Sequence, residues 1–302
     1  MIGEAEGLKR FEHRAMATLF EILIAGEDPS FAEGTAHAAF GEIDRLEQEL
    51  SRYVANSDVA RINNLSPDGS LSVGLDTFRC LRLSMQYWEE TGGAFDVTLG
   101  ALKERWAGND TSWLSPSPGE IERAGERTGM TSLELDEVTM TVRVHGAVPC
   151  VDLGAIGKGY AVDRAVELLK EWGVASALVH GGTSSVYAFG HPGDGRGWPV
   201  TLSDPGDHAE ILAKIFLSEE GLGGSGIRKG RHIIDPRSGL PAEGRRGAWV
   251  VSESAARSDA LSTACMVMTP EEIGRCIGRD ARLRALVVGR EDGQVLRFGA
   301  AV

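Results

Sequence analysis

The stretch Val151 to Lys170, "VDLGAIGKGYAVDRAVELLK", constrains the fold more than any other. A β-like run ends on an acid, passes three glycines and continues with apolar residues at helical spacing. The first N–H groups of such a helix have no partner within it, so the junction is suited to an anion. Gly154, Gly157 and Gly159 stand in the order G-x-x-G-x-G. That is neither the dinucleotide fingerprint nor the P-loop. Lys158 could add positive charge, and Asp152 could accept hydrogen bonds from a ligand. The same string also reads as a tight turn packing a helix on a sheet, with Asp152 a cap.

Around this junction, strands and helices intermix. "ATLFEILIAG" reads as a strand stopped at Gly26, and "SFAEGTAHAAFGEIDRLEQELSRY" as a long amphipathic helix. A second helix is predicted from about Asp76 to Thr91, ending at "TGG". "TSLELDEVTMTVRVHGAVPCVDLG" reads as successive strands, and a helix follows over Lys158 to Trp172. "SALVHGG" and "SSVYAFG" are further strands, "LSTACMVM" is helical, and "RALVVGREDGQVLRFG" is a hairpin turning at "EDGQ". Intermixing without strict alternation predicts an α+β fold rather than a doubly wound sheet.

Glycine, 39 of 302 residues, is nearly twice its usual share of ~7%. Tight turns, or backbone lying against a ligand, would use it. The formal charge of −13 argues against nucleic acid, since no strong basic patch offsets it; "GIRKGRH" is the most basic stretch and is short. Cys80, Cys150, Cys265 and Cys276 lie far apart with no C-x-x-C, which fits a reducing compartment better than a disulfide framework or a zinc site. The N-terminal apolar run is broken by Glu21 and too short to span a bilayer, so no membrane anchor and a cytoplasmic location are expected.

Three other stretches offer chemistry. In "SDALSTA", helical spacing puts Asp259, Ser262 and Thr263 on one face. One carboxylate with hydroxyls suits Mg²⁺, which completes its octahedron with waters and phosphate oxygens; the alternative is Asp259 as an N-terminal cap. In "RHIIDPRSGLP", turn chemistry follows a short strand, and His232 is either a proton carrier or structural. "GLGGSG" upstream is flexible enough to wrap a ligand or move as a lid. In "TGGAFDVTLGAL", Phe95 beside Asp96 offers an aromatic plane and an acceptor for a flat heterocycle, or a buried Phe with a capping Asp.

In this order, "MATLFEI", "LEQELSRYVANSDVARIN", "TGGAFDVTLG", "VDLGAIGKGYAVD", "LVHGGTSSVYAFG", "HIIDPRSGLP" and "SDALSTA" resemble the FAD:protein FMN transferase family, also called ApbE. The resemblance implies a single α+β flavin transferase domain over residues 15–302, with mixed sheets, packed helices and a flavin-binding cleft, preceded by a lead-in of residues 1–14. It implies an enzyme that uses Mg²⁺, splits FAD, joins FMN by a phosphoester to a Thr or Ser of an acceptor flavoprotein and releases AMP. Carried over by motif, Ala155 through its carbonyl, Asp259 and Thr263 resemble the metal site, with Ser262 a further ligand. Met16, Ala94, Phe95, Asp96, Asp152, Lys158 and Ile234 resemble the flavin-nucleotide contacts, and His232 a base or orienter for the acceptor hydroxyl. "GSGIRKGRH" departs from the family by being shortened and lacking an aromatic. That leaves transfer to water, or flavin binding without catalysis, as the other readings.

Overall fold

In the computed structural model, which describes residues 7–107, 114–193, 195–207, 209–227, 230, 232–291 and 293–300, the apolar run after Ala17 is strand β2 (Thr18–Ala25). It pairs antiparallel along its whole length with β1 (Leu8–Ala15). The connecting Met16 and Ala17 both have positive φ, 49° and 56°. A two-residue turn needs that handedness to match the twist of the strands it joins. Residues 8–14, expected as a lead-in, are therefore part of the sheet. Residues 1–6 and 301–302 lie outside the described residues.

Asp28 accepts hydrogen bonds from Ser30 N and Phe31 N, and with Pro29 it starts helix α1 (Pro29–Leu50). Then come α2 (Asp58–Asn63), β3 (Ser70–Ser72), α3 (Leu75–Glu90), α4 (Gly100–Trp106), α5 (Pro118–Gly125), β4 (Leu133–Asp136) and β5 (Thr141–Val144). Helix α6 (Gly157–Glu171) precedes β6 (Ala177–Gly181), β7 (Ser185–Phe189), β8 (Trp198–Ser203), β9 (Ile211–Leu217) and β10 (Glu220–Gly226). The chain closes with β11 (Ile234–Asp235), β12 (Leu240–Pro241), β13 (Arg245–Ser252), α7 (Ala255–Cys265), α8 (Pro270–Ile277), β14 (Arg284–Gly289) and β15 (Val295–Gly299).

The main sheet has the order β1-β2-β6-β7-β10-β13-β14-β15, every pair antiparallel. Helices α1, α6 and α7 cover one face, where Phe20, Ile22, Val179, Val250 and Val287 are buried. The β8–β9 hairpin contributes Trp198, Leu202 and Leu217 to the other face, against Leu23, Leu178, Val251 and Leu286. Coverage on both sides explains why β2 is apolar nearly throughout rather than alternating. A small sheet, β3-β5-β4, stands apart. The α+β expectation holds, and no described helix is long and apolar enough to cross a membrane.

Two expectations change. "GLGGSG" is not a lid: it lies within β10, between β7 and β13. A Cβ on Gly221 would come 2.5 Å from Ala255 N, and one on Gly223 2.2 Å from the Ser258 carbonyl carbon. The glycines let α7 lie directly on the strand. The run before Asp152 is also no strand. It is tied to residues 97–100 by one isolated bridge, with Asp152 N donating to Val97 O and Gly100 N to Cys150 O.

Candidate active site

The end of β10, the β1–β2 turn, the β6–β7 turn, the segment 94–99, α4, the start of α6, residues 232–234 and α7 enclose a cleft of about 940 Å³. That lies within the range of small-molecule sites, roughly 300–1,000 Å³. Of the residues singled out in the sequence, Ala94, Phe95, Asp96, Asp152, Ala155, Lys158, His232, Ile234, Asp259 and Thr263 line it. Met16 and Ser262 do not.

Among the buried carboxylates that line the cleft, Asp152 and Asp259 are of opposite electrostatic character. Asp152 caps the start of a short 3-10 turn (Leu153–Ala155), accepting from Gly154 N at 2.9 Å. It also receives Lys103 Nζ at 2.7 Å and Arg52 at 3.4 Å. Burial pushes its pKa upward, but Lys103, the Gly154 N–H and Arg52 together hold it below the ordinary carboxylate value. Asp259 has no such cation: it makes no ion pair among the described residues. Its Oδ2 accepts from Ser185 Oγ at 2.6 Å and Gly159 N at 2.9 Å. Burial pushes it up to about 6, against the pull of Lys158 and of those two hydrogen bonds. Nor does it cap the helix, since Ser254 does that by accepting from Arg257 N.

The glycine-rich turn is only partly the open cradle expected of it. Gly154 N–H is engaged by Asp152 and Gly159 N–H by Asp259. A Cβ on Gly159 would lie 2.3 Å from Ala255 O, so this glycine lets α6 and α7 approach. Positive charge in the cleft comes from side chains. Lys158 sits near Gly154 O at 3.3 Å, and Lys103 on α4 lines the same wall.

The hydroxyl cluster divides. Thr263 lines the cleft and donates to Asp259 O at 3.1 Å, leaving its lone pairs as acceptors. Ser262 is fully buried between Asp259 O at 3.0 Å and Ser225 Oγ at 2.9 Å, so its hydroxyl belongs to the α7–β10 packing. Ser225 also reaches Thr263 Oγ1, at 3.0 Å. Asp259, Thr263 and the Ala155 backbone offer oxygen donors on one cleft. Such hard donors, with a single carboxylate, fit Mg²⁺. A buried carboxylate without a cation is costly, and a divalent ion would relieve it. No three His, Cys, Asp or Glu side chains gather among the described residues, and the cysteines are free and buried.

Phe95 is only 1% exposed, and its ring meets Tyr87 edge-on at 6.4 Å. It is a core residue at the wall rather than a stacking plane. Burial raises the pKa of the neighbouring Asp96 carboxyl against hydrogen bonds from Thr98 at 2.5 and 2.7 Å. Met16 packs on the main core from the β1–β2 turn, while Ala17 and Thr18 beside it line the cleft. His232 has Nδ1 at 3.2 Å from Gly230 O. Residues 228, 229 and 231 of the shortened "GIRKGRH" lie outside the described residues.

Sequence reading missed Lys103, Trp249 and the pair Glu21–His180, joined at 2.8 Å within the lining. Trp249 supplies the aromatic surface that Phe95 does not. Its place in "GAWVVSES", an aromatic interrupting a small-residue run, was the available signal. Nothing local marks Lys103.

The site is a cleft of small-molecule size in an antiparallel α+β fold, with Lys103 and Lys158 on its wall and the buried Asp259 making no ion pair among the described residues. A sequence model of the ApbE family matches residues 16–287, and the chain belongs to that family. Among curated relatives, the FAD:protein FMN transferase of Klebsiella pneumoniae (strain 342) is 25% identical over 295 residues, covering 93% of this chain and 84% of its own. That of Treponema pallidum (strain Nichols) is 29% identical over 288 residues, covering 85% and 78%. Among solved structures, the apo flavinyl transferase ApbE of Pseudomonas stutzeri superposes with a TM-score of 0.84 at 27% identity, over 98% of both chains. The ApbE protein of Thermotoga maritima does so with a TM-score of 0.85 at 28% identity, over 96% and 97%.

Proposed function

We propose that this protein, an FAD:protein FMN transferase by its family, cleaves the FAD pyrophosphate, attaches FMN by a phosphoester to a Thr or Ser of a protein acceptor and releases AMP. The acceptor oxygen bonds to the phosphorus of the FMN half, the bond from that phosphorus to the bridging oxygen breaks, and AMP leaves with the electron pair. His232, which lines the cleft, would take the hydroxyl proton. Lys158 would offset charge of the diphosphate, and Trp249 offers a flat surface to a ring system. Asp259, Thr263 and the Ala155 carbonyl would hold Mg²⁺, whose chemistry is to neutralise and orient the phosphate oxygens.

The observation that carries this reading is Asp259, a buried carboxylate on the same cleft as Thr263 and Ala155 that makes no ion pair among the described residues. Incubation with FAD, Mg²⁺ and a candidate acceptor tests it. The expected products are a covalently fluorescent acceptor band and AMP in equal amounts, both lost with EDTA. AMP formed at the same rate with and without acceptor would make water the acceptor; flavin binding with no AMP would make the protein a binder.

A further inference from the structure

The β11–β12 hairpin separates two cavities. Ile234 faces the large cleft, whereas Asp235, Leu240 and Pro241 line a second pocket of about 490 Å³. The two cavities have no lining residue in common. Leu240, Pro241, Met266, Val267 and Leu296 give the second one apolar walls, and Arg245 brings a charge to it.

Arg245 stands out among the arginines. Arg246, next in the strand, pairs with Asp204 at 3.0 Å. In Arg45, Arg237 and Arg282, carboxylate hydrogen bonds hold the guanidinium pKa above its usual value. In Arg52, Arg164 and Arg257, burial pulls it down and acidic neighbours outweigh the burial. At Arg245 burial wins, although Cys265 and Glu272 pull the other way. The Arg245 guanidinium makes no hydrogen bond or ion pair among the described residues. The β13–β14 register also shifts between Arg245 and Gly247, an irregularity of the kind that re-aims side chains.

We propose that this pocket is a second ligand site, separate from the flavin cleft, which binds a monocarboxylate with an apolar body through Arg245. One guanidinium balances one negative charge, and its fork matches a carboxylate. Of the two acids in the lining, Asp235 is paired with Arg237 at 2.9 Å and Glu243 is exposed to water, but a dianion would remain partly uncompensated in a protein with a formal charge of −13. The apolar walls call for hydrocarbon rather than a small hydrated anion. The inference does not depend on the flavin chemistry.

The test is ¹H–¹⁵N NMR titration of the whole protein saturated with FAD. Octanoate should shift amides of β12, β13 and the end of α7. Octan-1-ol should bind at least about tenfold more weakly, the equivalent of a lost charged hydrogen bond, and inorganic phosphate should not bind there. A peptide ending in leucine distinguishes the two sources of such a carboxylate: the tighter of peptide and octanoate names the source, and either order supports the site. Arg245→Gln should lose at least about tenfold in octanoate affinity. Equal binding of octanoate and octan-1-ol, or unchanged octanoate affinity in folded Arg245→Gln, would each overturn the proposal. The octanoate-to-octanol comparison requires no variant.

Discussion

Asp152 and Asp259 are both buried in the wall of one cleft, yet their environments are opposite. Asp152 arrives at folding with its cations, Lys103 and Arg52, already in place. Asp259 is held by one N–H and one hydroxyl, with burial forcing its pKa up to about 6. The first is a finished structural ion pair that braces the turn before α6. The second makes no ion pair among the described residues, and under the proposed function a divalent ion would supply the balancing charge. Perturbed buried carboxylates mark candidate functional sites, and the contrast between these two makes Asp259 rather than Asp152 the candidate metal ligand.

The largest effect that would sharpen this contrast is on catalysis. Asp259→Asn is expected to lower FMN transfer by at least about a hundredfold, measured as AMP release, while FAD still binds. His232→Ala should reduce transfer more than flavin affinity, and equal losses in both would make His232 a binding residue.

Stability should respond with opposite signs. Asp152→Asn leaves Lys103 and Arg52 without their anion. It should destabilise by about 1–3 kcal/mol in urea melts, less than a fully buried pair because Lys103 is partly exposed. Asp259→Asn should instead raise the thermal midpoint of the metal-free protein by roughly 2–4 °C. The sign follows from linkage. A carboxyl whose pKa rises on folding takes up its proton earlier in the folded state. The unfavourable contribution of Asp259 is therefore complete above pH about 6 and is lifted as pH falls towards 3.8. Asp152, with a lowered pKa, contributes stability that is present above 3.8 and lost as pH falls through its folded value. The smallest expected effect is that Mg²⁺ affinity weakens below pH about 6 in the wild type and in Asp152→Asn alike.

Much of the frame was legible in the sequence, because periodicity reports local burial. Strand β2, helices α1, α3 and α6, and the β14–β15 hairpin fall where apolar spacing and turn residues put them. Asp259, Thr263, Lys158 and His232 were legible as motif residues, and the cleft gathers them. What local strings hid was partnership across the chain. Asp152 looks like a free acceptor until Lys103, far upstream, is brought beside it. "GLGGSG" looks flexible until α7 is laid on it, and Phe95 looks available until Tyr87 covers it. Ser262 and Thr263 are neighbours in sequence, yet one faces the β10 packing and the other the cleft. Met16 looked like a contact residue, but the handedness of the turn directs it to the core and gives the cleft to its neighbours.

The central claim is that Asp259, and not Asp152, carries the divalent ion. Calorimetric titration of Mg²⁺ at pH 7.5 into the wild type, Asp152→Asn and Asp259→Asn, each saturated with FAD, tests it most directly. The account predicts one Mg²⁺ site in the wild type and in folded Asp152→Asn, and none of comparable affinity in Asp259→Asn. Undiminished Mg²⁺ binding by Asp259→Asn would contradict it.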